Sequence, residues 1–282
     1  MTVKKYYYDH FNELSDDKKF HFATRIKNYF HSRDFDDFFA GYIPSQNLSE
    51  VLANNDYSEV NNIAERRPFF EKYNNLFAVE AALFRVNHLL NEYNVDIRKK
   101  FIELYPLDKL YALADALMED SEAIAVLSTW AVNVICLTEI LFPRNKNVIR
   151  DLSKKSLELE LNDPLLSIYL FTHIILCDTN FYTKPISPDN LELFTKMLDR
   201  AAEIINENFD SLILDVRIEF LVCANLIGKN YPVLRQRIKA ECANNLRDKP
   251  YIIDRRRPER YHTLNGAEHT NVLFIMSELE DY

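Results

Sequence analysis

Two carboxylates four residues apart, Asp215 and Glu219, interrupt the apolar run 211–228, SLILDVRIEFLVCANLIG. In a helix that spacing puts both on one face, with Arg217 on another. Like charges so placed repel unless a cation, an arginine or a shared proton joins them. Their neighbours leave little room for solvent, so the pair is the chain's strongest acid/base candidate. The plain alternative is a structural salt bridge to a basic residue of a covering helix. His173 interrupts a second apolar run, 165–181, LLSIYLFTHIILCDTNF. A polar group in a buried helix costs on the order of 1–3 kcal/mol unless it is hydrogen-bonded. His173 is therefore either a core histidine bonded to a neighbour or an acid, base or ligand in a wet cleft. Asp178 and Asn180 stand at the exit of the same run, where a carboxylate meets the negative end of the helix dipole. They are candidates for ligand contact, against a simple passage from helix to loop.

The segment 255–277, RRRPERYHTLNGAEHTNVLFIMS, concentrates side chains capable of chemistry. Arg255, Arg256, Arg257 and Arg260 could form an anion site for phosphate or carboxylate, or else pair with an acidic surface. His262 and His269 flank Asn265 and Glu268. Two histidines and a carboxylate are donors zinc accepts, yet no HExxH or comparable spacing is present, so neither a metal nor another cofactor is expected. Glu268 within the first turn of a helix also has a structural reading, as a carboxylate favoured by the dipole. No serine stands in a nucleophile-elbow motif.

Composition narrows the classes further. The 282 residues contain 3 Gly, Gly41, Gly228 and Gly266, far apart, which excludes Gly-rich phosphate-binding loops. A formal charge of −9 argues against nucleic acid as a partner. The N-terminal MTVKKYYYDHF has no apolar core of a secretory signal, and no apolar run reaches the ~20 residues that span a bilayer. The four cysteines, Cys136, Cys177, Cys223 and Cys242, form no CxxC pair, and the first three lie in apolar runs. A cytoplasmic, reduced protein without a membrane partner is the expectation.

The elements that must hold these groups read as helices throughout. Residues 1–66, rich in Phe, Tyr, Asp and Asn, suggest an irregular helical cap that includes a helix capped by Ser15 and pieces at 36–41, 47–53 and 57–66. Pro68 should open a long helix to Tyr93. A strongly apolar helix is expected at 121–142, ended by Pro143. Asp163-Pro164, Ser187-Pro188 and Asp210 read as caps of the helices that follow them. Helix 231–247, the charged loop 248–260 and a last helix from Asn265 or Gly266 complete the chain.

Apolar helices thus start near 121, 163, 210 and 266, with amphipathic partners after the first three. That rhythm defines an array of helical hairpins over 67–282, the whole chain forming one all-α domain. Inner helices far more apolar than their partners favour an α/α toroid or partial toroid, with an open HEAT-like solenoid as the alternative. Successive inner helices entered through aspartate caps should place His173, Asp215, Glu219 and His262 along one cleft.

Three short stretches also resemble a known group. Leu170-Phe171-Thr172-His173-Ile174 with Asn180-Phe181, then Leu214-Asp215 with Glu219-Phe220-Leu221, then Tyr261-His262-Thr263, are similar to an uncharacterised all-helical bacterial family that accompanies peptide natural-product pathways. The resemblance covers roughly the last 120 residues. This chain departs from the pattern at Tyr182, where the family has Gly, and by Leu264–His269 inserted before the last helix. The resemblance implies a helical fold and a shared cleft, and no reaction. Two functions are therefore carried forward. One is a binding or accessory protein holding a small molecule, a peptide or a protein partner. The other is a hydrolase or lyase-type acid/base enzyme using His173, Asp215, Glu219 and His262.

Overall fold

Asp163 and Pro164 act as their order dictates. In a computed structural model of the protein, Asp163 Oδ1 accepts the backbone N–H groups of Leu165 and Leu166 at 2.8 and 3.1 Å. Pro164, with no N–H to satisfy, takes the first helical position. The helix so begun, Pro164–Asp178, is buried over nearly all its length. The structure describes residues 1–58, 60, 63–246 and 249–279. Parts of the expected segments 57–66, 231–247 and 248–260 (residues 59, 61, 62, 247 and 248) lie outside the described residues.

Among the described residues the chain is helical, with 71% in helix and no strand. It groups into two compact units, Met1–Phe35 with Phe181–Tyr282, and Asp36–Asn180. The expected 1–66 cap is thereby shared between them. The first unit opens with α1 (Val3–Asp9) and α2 (Asp16–Phe30). The second holds α3 (Asp36–Gly41), α4 (Leu48–Ala53), α5 (Ile63–Lys72), α6 (Leu76–Tyr93), α7 (Arg98–Leu104) and α8 (Leu107–Glu119). It continues with α9 (Ser121–Leu127), α10 (Thr129–Leu141), α11 (Val148–Glu158) and α12 (Pro164–Asp178). The first unit then resumes with α13 (Leu191–Glu207), α14 (Leu214–Leu226), α15 (Pro232–Asn245) and α16 (Leu264–Met276).

Three expected elements are corrected. Pro68 lies inside α5, not at the start of a helix reaching Tyr93, because the chain breaks at Asn75, whose φ is 66°. Asparagine tolerates this left-handed conformation through its short polar side chain. The single helix expected at 121–142 is two, α9 and α10, bent by 111° at Ser128. Ser128 has φ 48° and ψ −105°, and its buried hydroxyl donates to the Leu166 carbonyl at 2.9 Å. Asp210 is not a cap. Helix α14 starts at Leu214, and its first N–H donates to the carboxylate of Asp254, forty residues later.

The alternation of apolar and amphipathic helices is otherwise kept. In α13 the buried residues Phe194, Leu198, Ala201 and Ile205 fall on one face. Helices α10, α12, α14 and α16 are buried on most sides. In the second unit α10 is central and packs on α6, α8, α11 and α12. In the first unit α16 is central and packs on α1, α2 and α14, while α13 and α15 cover α14. Among the described residues no single helix is long and apolar enough to cross a membrane. All four cysteines are buried and free.

Candidate functional site

The last helix positions the densest set of ionisable groups. Thr263 Oγ1 accepts the N–H of Gly266 at 3.0 Å and so sets the start of α16. Gly266 lets that turn lie against the preceding chain, since a Cβ there would stand 2.3 Å from the Arg260 carbonyl oxygen and 2.7 Å from Tyr261 Cα. One turn on, Glu268 and His269 face the helices packed on α16.

Glu268 and Asp215 are the buried ends of a chain of four side chains within the first unit. Glu268 Oε1 lies 2.8 Å from His21 Nδ1 on α2. His21 Nε2 meets His269 Nδ1 at 3.2 Å. His269 Nε2 stands 3.5 Å from Asp215 Oδ2 on α14. The carboxylate side chains are 0% and 2% exposed, whereas the imidazoles retain 24% and 29%. Solvent therefore reaches the rings and not the acids.

The outer oxygens of both acids face cations, with a hydrogen bond only at Asp215. Asp215 Oδ1 accepts from Thr270 Oγ1 at 2.9 Å and has the Arg257 guanidinium 3.7 Å away. Glu268 Oε2 has the Lys18 ammonium at 3.5 Å. Burial pushes the Glu268 carboxyl up to about 7, against the opposing influence of Lys18, His269 and Arg25. Burial also takes the His269 ring below the usual histidine range, with Arg25 acting in the same direction and Asp215 against it. Tyr7 of α1 closes this side of Glu268. Its hydroxyl donates to the Leu264 carbonyl at 3.1 Å, and burial and Glu268 both raise its pKa.

Of the residues singled out in the sequence, Asp215, Arg257, Glu268 and His269 come together here. Glu219, one turn along α14, is buried and acts on Tyr182 and Cys223, adding to the burial that raises both. His262 donates from Nε2 to the Arg257 carbonyl at 3.0 Å, which ties down the arginine loop. Arg256 is held by Asp254 at 2.8 Å and Glu241 at 2.6 Å, a structural role in the same loop. Arg260 lies over the Tyr261 ring, and Asn265 Oδ1 accepts the N–H of Ser15 at 2.7 Å. Arg255 lies on the exposed side of the loop. His21, Lys18 and Arg25 were not foreseen. They stand on a polar-looking amphipathic helix some 250 residues away in sequence, and only the packing of α2 on α16 identifies them.

His173 belongs to the other unit, and so do Asp178 and Asn180. His173 Nδ1 lies 3.2 Å from Asn133 Oδ1, whose amide donates to Glu80 Oε1 at 2.9 Å. Burial pushes the Glu80 carboxyl up to about 7. Asp178 is buried, and Asn180 Oδ1 accepts from Asn87 Nδ2 at 2.9 Å. Glu80 and Asn87 lie on one face of α6, which reads from sequence only as an apolar stripe. Two cavities of about 430 and 590 Å³ also lie in this unit, on either side of Ser121 and Leu159. No candidate side chain lines either.

Among the described residues no group of three or more His, Cys, Asp or Glu side chains is arranged to hold a metal ion. What the four-membered chain can do is orient two imidazoles through buried carboxylates and share protons along its own length. No protein family matches this sequence, and no curated protein or solved structure matches it.

Proposed function

We propose that this is a binding or accessory protein that holds a small anionic molecule, or the carboxylate of a peptide, at the imidazole pair of His21 and His269. One observation carries the reading. Two solvent-reachable rings cap a buried ionic cluster in which three cations, Lys18, Arg25 and Arg257, accompany two carboxyls. Burial raises one of those carboxyls, Glu268, to about 7, so that it is close to half protonated at neutral pH. The excess of positive charge beside two partly exposed imidazoles suits an anion.

The test is a titration of the whole chain with inorganic phosphate, citrate and a short peptide bearing a free carboxylate. Ring signals of His21 and His269 should move in the NMR spectrum. At a hundred times the dissociation constant the bound anion should add about 2.7 kcal/mol of stability. Ring signals and melting temperature that ignore all three anions would overturn the reading.

A second reading is favoured by the pairing of Glu268 with His21 and of Asp215 with His269. A carboxylate that orients an imidazole is part of a general base, and a substrate that parted the His21–His269 contact would free a ring nitrogen for that role, so the same site supports a hydrolase or lyase-type enzyme. Turnover of a bound ligand that disappears in His269→Gln, with affinity kept, would select this reading over simple binding.

A further inference from the structure

Glu268, His21, His269 and Asp215 present three contacts in series, at 2.8, 3.2 and 3.5 Å. The first two are hydrogen-bond distances, and the third is an ion-pair distance that closes by a few tenths of an ångström when a proton bridges it. Each sets two proton-accepting atoms against each other, so pairing all three takes one proton apiece. Two neutral imidazoles bring one N–H apiece. With both acids ionised the count is two protons for three contacts, and one contact is always acceptor against acceptor. Moving the ring protons only moves the fault. If both rings carry hydrogen on Nδ1, the lone pair of His269 Nε2 faces Asp215. If both carry it on Nε2, that of His21 Nδ1 faces Glu268. If each ring points its hydrogen outward to its acid, the two rings face each other with lone pairs. A buried mismatch of this kind costs on the order of 1–3 kcal/mol.

We infer that these four side chains form a proton relay, which holds one proton beyond the two ring N–H groups and passes it between the buried carboxyls through the solvent-reachable rings. This rests on the same site as the proposed ligand and states what that ligand does there: an anion held beside the rings biases which of the two buried carboxyls carries the proton. The transfer balances. Glu268 Oε1–H breaks as His21 Nδ1–H forms, His21 Nε2–H breaks as His269 Nδ1–H forms, and His269 Nε2–H breaks as Asp215 Oδ2–H forms. One negative charge passes from Asp215 to Glu268, and both rings exchange tautomers. The surroundings fit both end states. Lys18 steadies charge on Glu268 through Oε2, while Thr270 and Arg257 steady it on Asp215 through Oδ1. Arg25 of α2 and Tyr7 of α1 are the other ionisable groups acting on Glu268.

The relay predicts opposite results from two near-isosteric substitutions. In Glu268→Gln, Lys18 should hold the amide oxygen, leaving the NH2 to donate to His21 Nδ1. His21 and His269 should then both carry hydrogen on Nε2. In Asp215→Asn, Thr270 and Arg257 should hold the oxygen, and the NH2 donates to His269 Nε2. Both rings should then carry hydrogen on Nδ1. Nitrogen-resolved NMR of the imidazoles in mildly alkaline buffer reads these tautomers directly. Reversal at both rings between the two variants is the expected result, and identical tautomers overturn the relay. Should either variant fail to fold, the wild-type chain provides the measurement: a nitrogen–nitrogen coupling across the His21–His269 contact is expected, and its absence overturns the proposal. Anion titration of the same samples separates the two readings. Tautomer reversal without any anion response leaves the relay standing and removes the ligand, and an anion response without reversal does the opposite.

Discussion

Arg217 and Glu241 form a two-point ion pair, Nη1 to Oε2 at 2.7 Å and Nη2 to Oε1 at 2.9 Å, with the arginine side chain fully buried. The guanidinium also lies over the Phe209 ring at 4.2 Å. This pair fastens α15 to α14, and Arg256 joins it through Glu241 at 2.6 Å. Removing one partner of such a pair strands a charge out of water. Glu241→Ala should therefore cost about 3–5 kcal/mol in chemical denaturation. A loss below about 1 kcal/mol, as at a surface pair, would show that Arg217 finds water or another acceptor.

Asp163 and Asp210 provide a matched comparison of caps. Only Asp163 accepts N–H groups from its helix. Asp163→Ala should cost ~1 kcal/mol, and Asp210→Ala should cost much less. Similar losses at both positions would contradict the start of α14 at Leu214.

Gly266→Ala tests the close approach at the entrance to α16. By helix propensity alone the change should stabilise, by up to ~1 kcal/mol. The added Cβ would instead overlap backbone atoms of Arg260 and Tyr261, which cannot swing aside as a side chain could. A net loss of about 1–3 kcal/mol is expected, with weakened anion response because Glu268 and His269 lie on the same turn. Unchanged or raised stability would show that the loop yields freely.

Glu80 should impose a pH dependence on stability. Its carboxyl is raised from 4.5 in the unfolded chain to about 7 when folded, through burial. Between those values the folded state binds more protons than the unfolded state, so stability falls as pH rises through this window. Glu80→Gln keeps an oxygen to accept from Asn133 and cannot ionise. It should flatten this part of the pH profile and add on the order of 3 kcal/mol above the folded value, at ~1.4 kcal/mol per pKa unit. Parallel profiles for the two proteins would place the Glu80 carboxylate in water.

Circular dichroism should report a nearly pure helical spectrum. A substantial sheet signal would contradict the element assignment throughout, since the described residues contain no strand.

The sequence by itself determined whatever is enforced by neighbours along the chain. Asp163-Pro164 caps its helix because the acceptor and the donors lie within three residues of each other. The apolar character of α10, α12, α14 and α16, and the one-faced pattern of α13, follow from composition and period, because burial must match them. That Asp215 needs a partner was legible for the same reason, but the expected partners were a basic residue of a covering helix or a cleft shared with His173, Glu219 and His262, and not Arg257 and His269. Which partner it meets is another matter. His21 joins Glu268 across 247 residues, on a helix whose period shows that it packs but not on what. Ser128 bends an apolar run that propensity would continue, because its hydroxyl reaches Leu166. Asp254, not Asp210, opens α14, because a loop folded back from further along supplies the acceptor. Local spacing carries no record of such contacts. They exist only once the helices have packed, when each buried donor and acceptor takes the partner that the tertiary structure brings within reach.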